Sequence, residues 1–141
     1  MILDLHIIPS SGNLKPDYIR DIPLMTSLDG FELHVIPGTA DDIRKPHENI
    51  FGFIYDKEAF DEKLAEAIPE FMKFADSWDV LVLYKKYITK DGERKYFEAP
   101  RIFKPYVQIR DDGALIPKSS DNLRYVYVLD GWLVEDDRKS C

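Results

Sequence analysis

In MILDLHII, Leu3, Leu5 and Ile7 alternate with Asp4 and His6. This period of two predicts a first strand over residues 2–8, with the apolar side chains on one face and the polar ones on the other. The run IFGFIY at 50–55 is apolar throughout and reads as extended. From Asp79 onward, short apolar runs bounded by turn residues predict strands at 79–90, 93–98, 101–110, 114–117, 123–129 and 132–135. The period changes in DKEAFDEKLAEAIPEFMKFA. There Phe60, Leu64, Ile68, Phe71 and Ala75 recur at spacings of three and four, which predicts one main helix over about 57–75. Asp56 is the expected N-cap. Pro69 interrupts the helix, because it lacks an N–H and its ring crowds the preceding turn. Two shorter helical pieces are expected. One lies at 16–21. The other follows Thr39, with Asp42 closing a capping box and Pro46 ending the turn.

Asp-Gly occurs four times, at Asp29-Gly30, Asp91-Gly92, Asp112-Gly113 and Asp130-Gly131. Asp-Gly between apolar runs signals a hairpin, because a two-residue type I′ turn needs positive φ at both positions. All four are read as strand, turn, strand. The fold class expected is therefore α+β: a curved, mostly antiparallel sheet or partial barrel built from hairpins, with the helix on one face. The chain of 141 residues is read as one domain, 1–141, with residues 136–141 as a frayed tail.

Charge changes this picture in one place. The net charge is −7, but KKYITKDGERKY at 85–96 holds five cations and two anions. A two-residue loop at Asp91-Gly92 would set Lys90 opposite Glu93, Ile88 opposite Lys95 and Tyr87 opposite Tyr96. Lys86, Lys90 and Lys95 would then leave one face, and Lys85 and Arg94 the other. These five are the candidate anion-binding residues, with Tyr84, Tyr87 and Tyr96 as stacking surfaces. An acidic chain repels phosphate on average, so nucleic acid is not the expected partner and a solvated hairpin is the simpler reading. A single cysteine, Cys141, offers no internal disulfide. The N-terminus lacks a basic segment, and no apolar run reaches the length of a membrane span. The expectation is a cytoplasmic protein.

Candidate chemistry is sparse. Asp4-Leu5-His6 and Glu32-Leu33-His34 each place a carboxylate and an imidazole on the same side of a strand. If the two strands are neighbours, Asp4, His6, Glu32 and His34 could converge as metal ligands or as an acid–base pair, against the simpler reading of a wet sheet face. His47, in KPHEN, is a third histidine candidate for catalysis beside His6 and His34, in what reads as a solvent-exposed turn. Phe103, Tyr106, Tyr125, Tyr127 and Trp132 fall on strands that could curve around a ligand, or they could form the core against the helix. No phosphate-cradling glycine loop, dinucleotide fingerprint or paired-cysteine metal motif is present, and no cofactor is predicted.

These residues lead to a non-catalytic binding or regulatory domain as the first reading. It would present its acidic helix or exposed sheet face to a protein partner, in the manner of an acidic inhibitor of a basic protein. A homo-oligomer is compatible with this reading. The alternatives are a small enzyme or ligand-binding barrel with a tyrosine-lined pocket, and a nucleic-acid-associated protein using the 85–96 hairpin.

Overall fold

The computed structural model describes residues 2–9, 32–118 and 122–139. The elements run β1 (Ile2–Ile8), β2 (Glu32–Pro37), α1 (Ala40–Arg44), β3 (Ile50–Tyr55), β4 (Glu58–Phe60), α2 (Glu62–Lys73), β5 (Val80–Ile88), β6 (Arg94–Phe103), β7 (Tyr125–Tyr127) and β8 (Leu133–Asp136). Short 3₁₀ turns occupy Ala75–Ser77 and Asp137–Lys139. The strands form one sheet in the order β2-β1-β3-β6-β5-β8-β4, with β7 also on β5.

The sheet is mixed, where a mostly antiparallel one was expected. β1 pairs parallel with both β2 and β3, and β5 pairs parallel with both β7 and β8. The β3–β6, β5–β6 and β4–β8 pairings are antiparallel. The β5–β6 pair is long, running from Val80↔Phe103 to Ile88↔Arg94. The β3–β6 pair has only two registered positions, Phe51↔Phe103 and Gly52↔Ile102.

One short connection forces the sheet to curl. β3 and β4 are separated by only Asp56 and Lys57, yet they stand four strand spacings apart in the order. In a flat sheet that is about 19 Å. The Glu58 carboxylate nevertheless accepts from the Tyr55 N–H at 2.7 Å. The sheet closes partway on itself into an open half-barrel.

Both faces are covered. On one, Leu3, Leu5 and Ile7 pack with Ile54, Leu81, Leu83 and Ile102 against Leu64, Ile68 and Met72 of α2. On the other, Phe51, Phe53, Val80, Val82 and Phe103 pack under Ile43 of α1 and under Val107, Ile109 and Leu115 of the 104–118 segment. Buried aromatic and branched side chains at this density supply most of the apolar burial.

The helix starts later than the sequence suggests. Asp61, and not Asp56, is the N-cap, its Oδ1 accepting from Leu64 N at 2.8 Å. Residues 58–60, assigned to the helix from the apolar spacing, pair instead with β8. Phe60 therefore belongs to a strand, although it still packs against the helix-side core. Pro69 lies inside α2, which continues through it to Lys73. α1 follows its signals: Thr39 N donates to Asp42 Oδ2 at 2.8 Å, and Lys45 before Pro46 is extended.

The Asp-Gly turns divide into different uses. Asp91-Gly92 closes the β5–β6 hairpin, but with a three-residue loop, Lys90 to Gly92. Thr89 N donates to Glu93 O and Gly92 N to Thr89 O, both at 2.9 Å, with Gly92 at φ +86°. Glycine takes that left-handed position freely, and it shifts the register by one from the two-residue turn. Ile88 now faces Arg94, Tyr87 faces Lys95 and Lys86 faces Tyr96. Asp112-Gly113 turns a short loop, bridged at Ile109↔Pro117, in place of two strands, and β6 is one strand through Phe103.

Asp130-Gly131 makes no hairpin, because β7 and β8 run the same way along β5. Gly131, at φ +86°, lies against the start of α2. A Cβ there would collide with Leu64 N and Asp61 Oδ1. Asp29-Gly30 and the helical piece at 16–21 lie outside the described residues, as do Ser119, Ser120 and Cys141. Asp136 pairs with Ile88 and its carboxylate binds Arg138 at 2.9 Å, so regular structure extends to Lys139 where a frayed tail was expected.

Candidate functional site

The corrected register rearranges the basic hairpin. Opposed residues share a face, so Tyr84, Lys86, Arg94, Tyr96 and the carboxylate of Glu98 leave one side. Lys85 and Lys95 leave the other. Lys90 stays in the exposed loop.

Trp132 and Tyr127 join the first face from the strands across β5. Ring centroids lie 5.1 Å apart for Tyr96–Trp132, 6.3 Å for Tyr84–Trp132 and 6.0 Å for Tyr84–Tyr127. The Lys86 ammonium sits 5.3 Å from the Trp132 ring centroid. Tyr96 is 56% exposed and Tyr127 41%. The four rings form a continuous surface ladder with cations beside it.

The five aromatic pocket candidates are therefore not lined up around one ligand. Phe103 is fully buried core. Tyr125 and Tyr127 point to solvent and are not core. Trp132 belongs to the ladder. Tyr106 is exposed, with its hydroxyl donating to the buried carboxylate of Asp79.

Asp79 also accepts from the Arg124 backbone N–H at 2.7 Å and meets the Arg124 guanidinium at 3.3 Å. Burial pushes the Asp79 carboxyl up, but the Arg124 and Tyr106 donors outweigh it and hold the group at about 2. The clamp ties the start of β5 to the approach to β7.

Lys85 points away from the ladder into a buried ionic cluster that sequence reasoning did not find. Arg101 forms two bonds to Glu58, Nη1–Oε1 at 2.5 Å and Nη2–Oε2 at 2.8 Å. Lys85 Nζ lies 2.7 Å from Glu58 and 2.9 Å from Glu135. The Arg101 guanidinium also covers the rings of Phe53 and Tyr55. Burial alone would raise the Glu58 carboxyl; Arg101, Lys85 and the Tyr55 N–H reverse this and leave it lowered. Lys85 is raised despite burial, through Glu58 and Glu135. Lys85 is thus a structural cation and not a free anion-binding group. Arg101 sits where the β5–β6 register skips a residue, and that bulge turns its side chain toward Glu58.

The histidine pairs converge in part. β1 and β2 are neighbours, with Asp4 opposite His34. His34 lies between Asp4 (Nδ1–Oδ1 3.2 Å) and Glu32 (Nε2–Oε2 3.3 Å) at the surface. Asn49 donates to the second Asp4 oxygen at 3.2 Å. His6 does not join them. It is 6% exposed, and neither ring nitrogen has a hydrogen-bond partner. The expected wet sheet face is thus covered at His6.

His47 covers it edge-on, with centroids 5.5 Å apart. His47 itself stacks on Phe51 at 3.7 Å and reaches Ile43 O through Nε2 at 2.8 Å. It is half-buried packing and not a solvent-exposed turn. Burial and His47 lower the His6 pKa against the opposing pull of Asp4 and Asp42. Among the described residues, no three His, Cys, Asp or Glu side chains are grouped to hold a metal ion, so the four-residue cage does not form.

No helix among the described residues is long and apolar enough to cross a membrane. No family model matches the chain, and neither does any curated protein or solved structure with which it was compared.

Proposed function

We propose that this chain is a non-catalytic binding domain that docks a protein partner through the Tyr96–Trp132–Tyr84–Tyr127 ladder. The observation that carries this reading is the ladder itself: four aromatic rings in contact on a half-open surface, with Lys86 over the central tryptophan. Tyrosine and tryptophan give large contact area for little side-chain entropy, and they dominate binding hot spots.

The helix is a weaker docking face than its sequence suggests. Its exposed positions carry three glutamates and two lysines, and Glu70 is already paired with Lys73 at 3.3 Å. A partner for the ladder would present apolar or aromatic side chains beside acidic ones, to meet Lys86 and Arg94. This differs from the basic partner that the overall charge suggests.

Capture from the native host with wild-type protein and with Tyr96→Ala/Trp132→Ala tests the reading. The expected result is a bound protein lost from the double variant. Equal recovery of every partner by both proteins would overturn it.

A second reading has one specific support. The observed register puts Lys86 and Arg94 on the same face as Tyr84 and Tyr96, the combination that stacks and neutralises single-stranded nucleic acid. Quenching of Trp132 fluorescence by oligonucleotides at low salt, relieved steeply by added salt, would favour that class over a protein.

A further inference from the structure

The basic lining of a second cleft, remote in sequence from the ladder, points to a separate ligand. It lies between the end of α1 and the 104–118 segment and encloses about 330 Å³. Its lining includes Arg44, Lys45 and Lys118, with Asp111 as its one carboxylate. Among the lining residues cations exceed carboxylates by two, and two of those cations, Arg44 and Lys45, also pair with Asp41 and Asp42 just outside the lining.

Arg44 is held in place. Its Nε donates to Arg110 O and its Nη1 to Asp41 Oδ1, both at 2.8 Å. These bonds fix the guanidinium plane and leave Nη2 without an acceptor among the described residues. A fixed guanidinium with one uncommitted nitrogen is suited to an oxyanion, because little of its freedom remains to be lost on binding.

The two lysines are exposed complements. Lys45 pairs with Asp42 at 3.3 Å, with 69% of its side chain exposed, and Lys118 forms no ion pair among the described residues. The rest of the lining is apolar or aromatic: Ile43, Pro46, Pro105, Val107 and the ring of Tyr106, with Gln108 as a neutral hydrogen-bonding group. Tyr106 keeps its ring in this position because its hydroxyl is bound to Asp79.

We propose that this cleft binds a small organic oxyanion, a phosphate or carboxylate carried on a compact apolar or aromatic body. The charged end would meet Arg44 Nη2 between Lys45 and Lys118, and the body would rest on Tyr106 and the two prolines. The volume matches the lower range of small-molecule sites. The proposal does not depend on the ladder.

Titration of the full chain with inorganic phosphate, phenyl phosphate and benzoate, followed by amide chemical shifts, tests it. Saturable shifts at the amides of 43–45, 106–111 and 118 are expected, with phenyl phosphate or benzoate binding more tightly than inorganic phosphate. Lys45→Gln/Lys118→Gln changes exposed side chains and should leave the spectrum otherwise intact, while weakening binding roughly tenfold. Added salt should weaken it further. Comparison of phenyl phosphate with benzoate assigns the anion. The proposal is overturned if none of the three probes saturates, if the double variant binds as well as wild type, or if the shifts map to 85–96 instead.

Discussion

Glu58 and His6 are both buried, and the fold treats them in opposite ways. Glu58 receives Arg101 twice, Lys85 and the Tyr55 N–H. His6 receives nothing at either nitrogen. A buried carboxylate is tolerated only as an ion with its partners in place, because each charge alone would carry a large desolvation cost. An imidazole can discard its charge and remain as a flat, weakly polar ring. Glu58 therefore holds the curled sheet together, while His6 fills space and leaves the fold sensitive to protons.

The largest effect should come from breaking the satisfied site. Arg101→Met leaves Glu58 and Lys85 to rearrange in the interior, and a loss of about 3–5 kcal/mol is expected in urea unfolding. Glu58→Gln combined with Arg101→Met should cost less than the two single losses added together, since no lone charge remains. A loss under about 1 kcal/mol for Arg101→Met would remove the cluster from this comparison.

Asp79 is an intermediate case, a buried carboxylate with partners at the rim. Its pKa is lowered to about 2 in the fold, so it binds its proton less readily there than in the unfolded chain. Its contribution is complete above the ordinary carboxylate range and is lost as pH falls toward 2. Asp79→Asn should cost about 2 kcal/mol at neutral pH and flatten the acid limb of the stability curve. An unchanged acid limb would show that Arg124 and Tyr106 hold Asp79 no better than water does.

His6 should act at higher pH. Its pKa is lowered in the fold, so the unfolded chain takes up the proton first. Stability is complete above the ordinary imidazole value of about 6.5 and declines as pH falls below it. Asp4, Asp42 and His47 are the charged or titratable groups acting on the ring. His6→Leu should lie within about 1 kcal/mol of wild type at pH 8 and remove the slope between pH 6.5 and 5. A slope equal to that of wild type would show that His6 is not its source.

His34 supplies the smallest contrast. It has a carboxylate at each nitrogen but half its side chain is in water. His34→Gln should change stability by less than about 0.5 kcal/mol, as exposed pairs do.

Local features were legible in the sequence, and pairings between distant segments were not. Leu3, Leu5 and Ile7 do share the core face, and IFGFIY is a strand. Thr39, Asp42 and Pro46 mark α1 correctly. The adjacency that brings His34 to Asp4 was also within reach, because both strands show the same acid–His spacing.

Asp-Gly misled where its second use prevailed. The dipeptide supplies positive φ, but it does not state whether the chain reverses, as at Gly92, or makes room for a helix, as at Gly131. The Glu58–Arg101 pair spans 43 residues and depends on a bulge and a curl, neither of which leaves a local pattern. The ladder was half visible: the YVY alternation put Tyr125 and Tyr127 on one side, but only the placement of β7 and β8 along one edge of β5 brings Trp132 to Tyr84 and Tyr96.

The two-position junction between β3 and β6 has a dynamic consequence. On one side lie β2, β1 and β3; on the other, the long β5–β6 ladder with its attached strands. Few backbone bonds cross the junction, so the first block can open with the second intact at the expense mainly of side-chain packing. Amide exchange should therefore fall into two protection classes, with Leu81 and Leu83 exchanging only on global unfolding and Asp4 and Leu5 through a cheaper, partial opening. Uniform protection across both blocks would show that the sheet opens as a single unit.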